Sequence, residues 1–163
     1  MVELYIGTSG WSYPKGEGTW SGHFYPRGNI DELGYYSQFF NAVEINSSFY
    51  HPPNPEYVRR WCQRAPDGFL FTAKLWQKFT HPRMFQQATG NEAVISQKDV
   101  DLFKNSLEPV AHSGKLGALL AQFPPGFKND GYGQQILRAV IHTFGDYRLA
   151  IEVRHRSWSD DPD

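Results

Sequence analysis

Five short apolar runs, each closing on or beside a polar side chain and each separated from the next by a stretch that includes helical spacing, restrict this chain to a narrow set of folds. The runs fall at 4–10, 42–46, 69–74, 115–123 and 147–154, and they read as strands bounded by turn residues such as Pro66, Asp67 and Gly68 or Pro124 and Pro125. Apolar spacing predicts helices over 31–40 with Asn29 or Asp31 as cap, over 56–64 behind Pro52, Pro53 and Pro55, over 97–110 with Ser96 as cap, and over 133–144. Strands that alternate with helices pair in parallel through right-handed crossovers, so the fold is α/β: a doubly wound sheet or part of a (β/α)8 barrel. Two stretches fit neither pattern. Residues 11–28 mix glycine and proline with the rings of Trp11, Tyr13, Trp20, Phe24 and Tyr25. Residues 76–96, carrying Trp76, Lys78, Phe79, His81, Arg83 and Phe85, are expected to be irregular and form a candidate functional loop.

Period-two alternation assigns side chains to faces. Leu149, Ile151 and Val153 alternate with Ala150, Glu152 and Arg154, so one face of the last strand carries a carboxylate and a guanidinium. Burying such groups is unfavourable unless they are paired or used. Glu44 and Asn46 likewise oppose Val43 and Ile45, while Lys74 and Gln122 stand near the C-terminal ends of the third and fourth strands. Thr8 and Ser9 belong at the same end of the first. Parallel α/β folds bind ligands at that end, where the loops converge on one mouth. Glu44, Lys74 and Glu152 are the candidate catalytic groups, with Lys74 between two carboxylates that face one another across a curled sheet. Thr8, Ser9, Trp11, Asn46, Tyr50, His81, Gln122, Arg154, His155 and Trp158 are the candidate ligand-binding residues.

Two structural readings compete with a site. Glu, Lys, Arg and Gln side chains inside a barrel can simply neutralise one another, and His81 and His155 can be loop histidines bonded to backbone. No HxH, HExxH or cysteine pair is present, so no metal is assigned; a metal site would need Glu44, Glu152 and the two histidines to converge. Neither a P-loop nor GxGxxG follows a strand, and no cofactor is indicated.

The 163 residues suit a single domain spanning 1–163. A net charge of −1 supplies no global field for nucleic acid or an anionic membrane, although rings beside Lys78, Arg83, Arg154 and Arg156 could stack on unstacked bases. Cys62 is the only cysteine, which excludes an internal disulfide. No apolar stretch of about 18 residues occurs, so the expectation is a cytoplasmic protein with no membrane partner.

Five motifs in order carry a resemblance over essentially the whole chain. They are Gly7-Thr8-Ser9-Gly10-Trp11-Ser12-Tyr13; Val43-Glu44-Ile45-Asn46-Ser47-Ser48-Phe49-Tyr50; Lys74 with Thr80-His81; Gln122-Phe123-Pro124-Pro125; and Glu152-Val153-Arg154-His155-Arg156-Ser157-Trp158. This series resembles the DUF72 (YecE-like) family. The resemblance implies a TIM-barrel-like fold and a cytoplasmic, mostly prokaryotic protein, and it implies no established reaction. Family members resemble longer barrels, whose later strands carry an Arg-Leu-His-Gly-like segment and an Asn-rich final strand that this sequence lacks. A complete barrel needs about 250 residues, so the expected fold is an incomplete or truncated barrel of about five strands. Its open parallel edges would favour association with a second copy. The functional expectation is a protein that binds or transforms a small polar ligand, anionic or polyhydroxylated, at the mouth. The alternatives are a nucleic-acid-binding module built on aromatic stacking and basic loops, and a non-catalytic scaffold with a buried charge network.

Overall fold

Alternation along the strands decides which side of the sheet is covered. The computed structural model describes residues 3–13 and 20–159, in which five parallel strands form one sheet in the order β1-β2-β3-β4-β5: β1 (Gly7–Thr8), β2 (Ala42–Ile45), β3 (Leu70–Lys74), β4 (Leu116–Gln122) and β5 (Leu149–Glu152). Each strand hydrogen-bonds only to its neighbours in sequence, and β1 and β5 do not pair with each other, so the sheet is barrel-like but open. The helices are α1 (Glu32–Tyr36), α2 (Pro55–Arg64), α3 (Gln77–Thr80), α4 (Pro82–Thr89), α5 (Gln97–His112) and α6 (Gly131–Phe144).

Val43 and Ile45 of β2, Phe71 and Ala73 of β3, and Leu119 and Ala121 of β4 are buried on the helix side. They meet Leu33 and Tyr36 of α1, Val58 and Cys62 of α2, Phe103 and Leu107 of α5, and Val140 and Phe144 of α6 in one core. On the other side Ala42, Glu44, Leu70, Thr72, Lys74, Ala118, Leu120 and Gln122 are all half-buried and lie outside the core cluster, so no core packs on that face.

Local chemistry explains where the elements begin and end, and where they depart from the sequence expectation. The first strand, read from Leu4 into a tight glycine turn that ends at Gly10, makes the turn but pairs only at Gly7 and Thr8. The Asn41 side chain takes up both the Ile6 N–H (2.7 Å) and the Leu4 carbonyl (2.9 Å), replacing ladder bonds, and leaves Leu4 and Ile6 exposed. Asp31, not Asn29, caps α1 by accepting from the Gly34 N–H at 2.9 Å. Ser96 and Asp99 form a reciprocal capping box at the start of α5.

The expectation of an irregular 76–96 stretch is overturned over 77–89 by α3 and α4, while 91–96 form no helix or strand. Pro82 sits in the first turn of α4 and Gly90 closes it with φ +73°, the asymmetry that marks a helix start and stop, while Phe79 and Phe85 are buried. The aromatic 11–28 loop lies partly outside the described residues, at 14–19. Its described rings roof α1: Trp20 stacks on Tyr36 with centroids 6.4 Å apart, and Phe24 meets Tyr35 edge-on at 5.5 Å. No helix among the described residues is long and apolar enough to cross a membrane.

Candidate functional site

Register places the polar strand ends side by side. Glu44 is opposite Thr72, Lys74 opposite Leu120, and Gln122 opposite Glu152, so all four polar groups lie on the uncovered face. The row climbs by one pleat from β2 to β3 and again from β3 to β4, then runs level to β5. A register shift in the β3–β4 pairing, where Phe71 meets Leu116 but Thr72 meets Ala118, passes over Gly117. That shift brings Gln122 onto the same face as Lys74.

The side chains then form a row of hydrogen bonds joined through one ion pair. Ser9 Oγ donates to Glu44 Oε1 at 2.8 Å, and Lys74 Nζ lies 3.7 Å from the same oxygen. Lys74 Nζ also donates to Gln122 Oε1 at 3.3 Å, and Gln122 Nε2 donates to Glu152 Oε2 at 2.7 Å. Arg154 Nε donates to Glu152 Oε1 at 2.6 Å. An ammonium only donates and a carboxylate only accepts, so the two ends fix the orientation of the Gln122 amide. Side-chain exposure is 18% for Glu44 and 14% for Lys74 but 41% for Glu152, so Glu152 is the more open of the two carboxylates. The hydrogen bond from Gln122, then that from Arg154, holds the Glu152 carboxyl below the usual glutamate range.

Phe49 and His81 flank the row. Phe49 lies in the 3-10 turn Asn46–Phe49 that follows β2, and Lys74 Nζ stands 5.6 Å from its ring centroid. The His81 ring meets Phe49 edge-on with centroids 5.0 Å apart, and its Nδ1 is 2.9 Å from Thr80 Oγ1. Burial, then the charges of Lys74 and Arg154, pushes the His81 imidazole below its ordinary pKa, so it is neutral at pH 7.

The other sequence candidates divide between this mouth and structural duties. Tyr50 is 60% exposed beside Phe49, and its carbonyl accepts from Trp76 Nε1 at 3.1 Å. Asn46 opens the 3-10 turn and makes no side-chain hydrogen bond among the described residues. Thr8 pairs with Val43 on the helix side, where its hydroxyl donates to the Gly10 carbonyl and its N–H to Tyr36 Oη. Trp11 packs edge-on against Trp61 at 5.0 Å and Phe71 at 6.2 Å, on the helix side as well. His155 Nδ1 accepts from the Ser157 N–H and caps the 3-10 turn Arg156–Trp158. Trp158 stacks on Phe127, which stacks on Phe123, and its Nε1 donates to the Phe127 carbonyl at 2.8 Å. The geometry thus gathers Ser9, Glu44, Lys74, Gln122, Glu152, Arg154, Tyr50 and His81, and sets Thr8, Trp11, His155 and Trp158 to structural contacts.

Sequence reasoning missed Phe49 and Thr80 as site residues. The signal for Phe49 was its place just after a strand end, and that for Thr80 its place beside His81 in the Lys74, Thr80-His81 motif. Lys78, offered as a basic contact, is instead held by Asp99 at 2.8 Å over the rings of Trp76 and Phe85. Among the described residues no three of His, Cys, Asp and Glu converge closely enough to hold a metal ion.

A family model described as "Protein of unknown function DUF72" matches residues 5–163. The UPF0759 protein YunF of Bacillus subtilis is 34% identical over 162 residues, which are 98% of this chain and 53% of that protein. The UPF0759 protein YecE of Escherichia coli K12 is 30% identical over 158 residues, 93% of this chain and 48% of its own length. The chain therefore spans about half the length of these curated relatives. Among solved structures, a DUF72 family protein of Thermotoga maritima is similar with TM-score 0.74 at 30% identity, over 96% of this chain and 58% of that one. One from Enterococcus faecalis shares the fold with TM-score 0.73 at 24% identity, over 96% of this chain and 54% of that one.

Proposed function

Because the chain belongs to the DUF72 family, whose description names no activity, we propose its function from the mouth alone: it binds or transforms a small polyhydroxylated ligand. The observation that carries this reading is the row of alternating acceptors and donors at the C-terminal ends of consecutive strands. Two carboxylates, one ammonium and one guanidinium sum to zero charge, and His81 adds none at pH 7. Such a surface exerts no net pull on an anion, but its alternating acceptors and donors are groups of the kind that pair with hydroxyls. The exposed Tyr50 ring supplies an apolar face beside it. Glu152, the more exposed carboxylate, is the group that reaches the ligand and accepts from its hydroxyls; Glu44 and Lys74 hold the less exposed part of the row.

The test is calorimetric titration of this chain with glucose, sorbitol, gluconate and glucose 6-phosphate, repeated on Glu152→Gln. The neutral compounds should bind and the anions should gain nothing. Glu152→Gln should weaken binding at least tenfold while its melting temperature stays within about 4 °C, the equivalent of roughly 1 kcal/mol in a chain of this size. Absence of binding by every compound, or unchanged binding by the variant, sinks the reading.

One observation favours the scaffold alternative: every charge in the row already has a partner. If the mouth is only a neutralised network, replacing Glu44 by Gln and Lys74 by Met together leaves a folded chain with unaltered behaviour toward all four compounds. The nucleic-acid alternative loses Lys78 to Asp99.

A further inference from the structure

His81 stands beside the row without joining it, and three features of its surroundings define what it can offer. The first is position. Its backbone closes α3 through a 2.6 Å bond from its N–H to the Gln77 carbonyl, and its own carbonyl accepts from Phe85 as α4 begins. Its ring and the Lys74 ammonium share Phe49, one at the ring edge and the other over the ring at 5.6 Å. The junction of two helices therefore fixes the imidazole next to the amine of the row.

The second feature is the tautomer. Thr80 is 3% exposed, and its hydroxyl has no partner among the described residues except His81 Nδ1 at 2.9 Å. If Nδ1 carried the proton, the Thr80 hydroxyl would accept it and its own hydrogen would be left without an acceptor in a buried setting. With Nδ1 as acceptor, the hydroxyl hydrogen is satisfied and the imidazole proton resides on Nε2. Nε2 has no hydrogen-bond partner among the described residues, and the ring is half-buried.

The third feature is charge. Lys74 from β3 and Arg154 from the segment after β5 both oppose protonation, as does burial. The nearby carboxylates do not reverse this, since Glu44 is engaged by Ser9 and Lys74, and Glu152 by Gln122 and Arg154.

We propose that His81 is a ligand-contacting hydrogen-bond donor of the mouth, held by Thr80 in the tautomer that carries its proton on Nε2 and presented to an acceptor oxygen of the polyhydroxylated ligand. This inference rests on the mouth being a ligand site. It makes His81 the donor that answers the acceptors Glu44 and Glu152, and it sets a preference for an oxygen that accepts, such as a carbonyl, ring or hydroxyl oxygen, over a cationic group.

Nitrogen-15 spectra of the histidine rings in the whole chain test the tautomer directly. At pH 7 His81 should show a protonated Nε2 and a bare Nδ1. Thr80→Ser should preserve that pattern, and Thr80→Val, which keeps the shape but removes the hydroxyl, should shift it toward Nδ1–H. Glucose titrations then test the contact: His81→Phe should weaken binding at least tenfold, and His81→Gln, which retains an N–H donor, by no more than about threefold. An Nδ1–H ring or an imidazolium at pH 7, or glucose affinity indifferent to His81→Phe, overturns this inference while leaving the mouth reading in place. Failure of glucose to bind at all overturns both.

Discussion

Replacing Gln122 by methionine removes the amide that links the Lys74 end of the row to Glu152 while keeping a side chain of similar length and volume. In the native chain its Nε2 donates to Glu152 at 2.7 Å and its Oε1 accepts from Lys74 at 3.3 Å. A hydrogen bond to a charged group contributes about 1.5–3 kcal/mol. Glu152 is 41% exposed, so water screens the interaction and a net loss of about 1 kcal/mol is the appropriate expectation. In a chain of this length that lowers the melting temperature by about 2–4 °C at pH 7.

The pH dependence gives the sharper test. Gln122, then Arg154, depresses the Glu152 carboxyl in the folded state, so the stabilisation is fully present above the unfolded glutamate value. It is lost as pH falls through the lower folded value. The gap between wild type and Gln122→Met should therefore be widest near neutrality and close in acid. The Glu152 carboxyl, followed by carbon-13 spectra, should titrate at higher pH in the variant. Identical melting at pH 7, a gap of the same size at the acid end, or an unmoved Glu152 titration would refute a row in which Gln122 carries energy.

Other regions give equally direct tests. Burial works to raise the Asp99 carboxyl, but hydrogen bonds from Lys78 and Ser96 outweigh it and hold the group below its ordinary range. Asp99→Asn should cost about 1–3 kcal/mol in urea melts at pH 7, and the cost should disappear as pH falls through the native Asp99 titration; a pH-independent loss would contradict the pairing. A Cβ on Gly7 would come 1.9 Å from the Ala42 carbonyl oxygen, so Gly7→Ala should detach β1 and speed amide exchange at the bonded β2 positions, and native exchange rates would show that the close approach is wrong. The half-buried face of β2 to β4, together with exposed Ile6 and Ile151 near the two open edges, should draw two copies of the chain together, and a concentration-independent monomer in sedimentation would argue against it.

How much of this was legible beforehand differs by element. Ser96 followed by Asp99 and the apolar spacing of Val100, Phe103, Leu107 and Val110 mark α5 without reference to the rest of the molecule. Pro82 and Gly90 carried the same kind of signal for α4, but the rings and charges between them resembled a loop. At the first strand, the apolar run from Leu4 suggested pairing up to the glycine turn, and the Asn41 side chain, 35 residues from Ile6, took the backbone bonds instead.

The sequence by itself determined the strand–helix order, the parallel sheet and which side chains within each strand share a face, because side-chain direction along a strand is set by a two-residue period that any short segment contains. Tertiary structure alone decided that these groups touch in the order Glu44, Lys74, Gln122, Glu152, and that Phe49 and Thr80 hold His81 beside them. Contact depends on register between strands, which the shift around Gly117 changes by a residue, and on where a helix junction falls relative to the sheet. Neither quantity is stored in a local pattern; both emerge when residues far apart in the chain pack against one another.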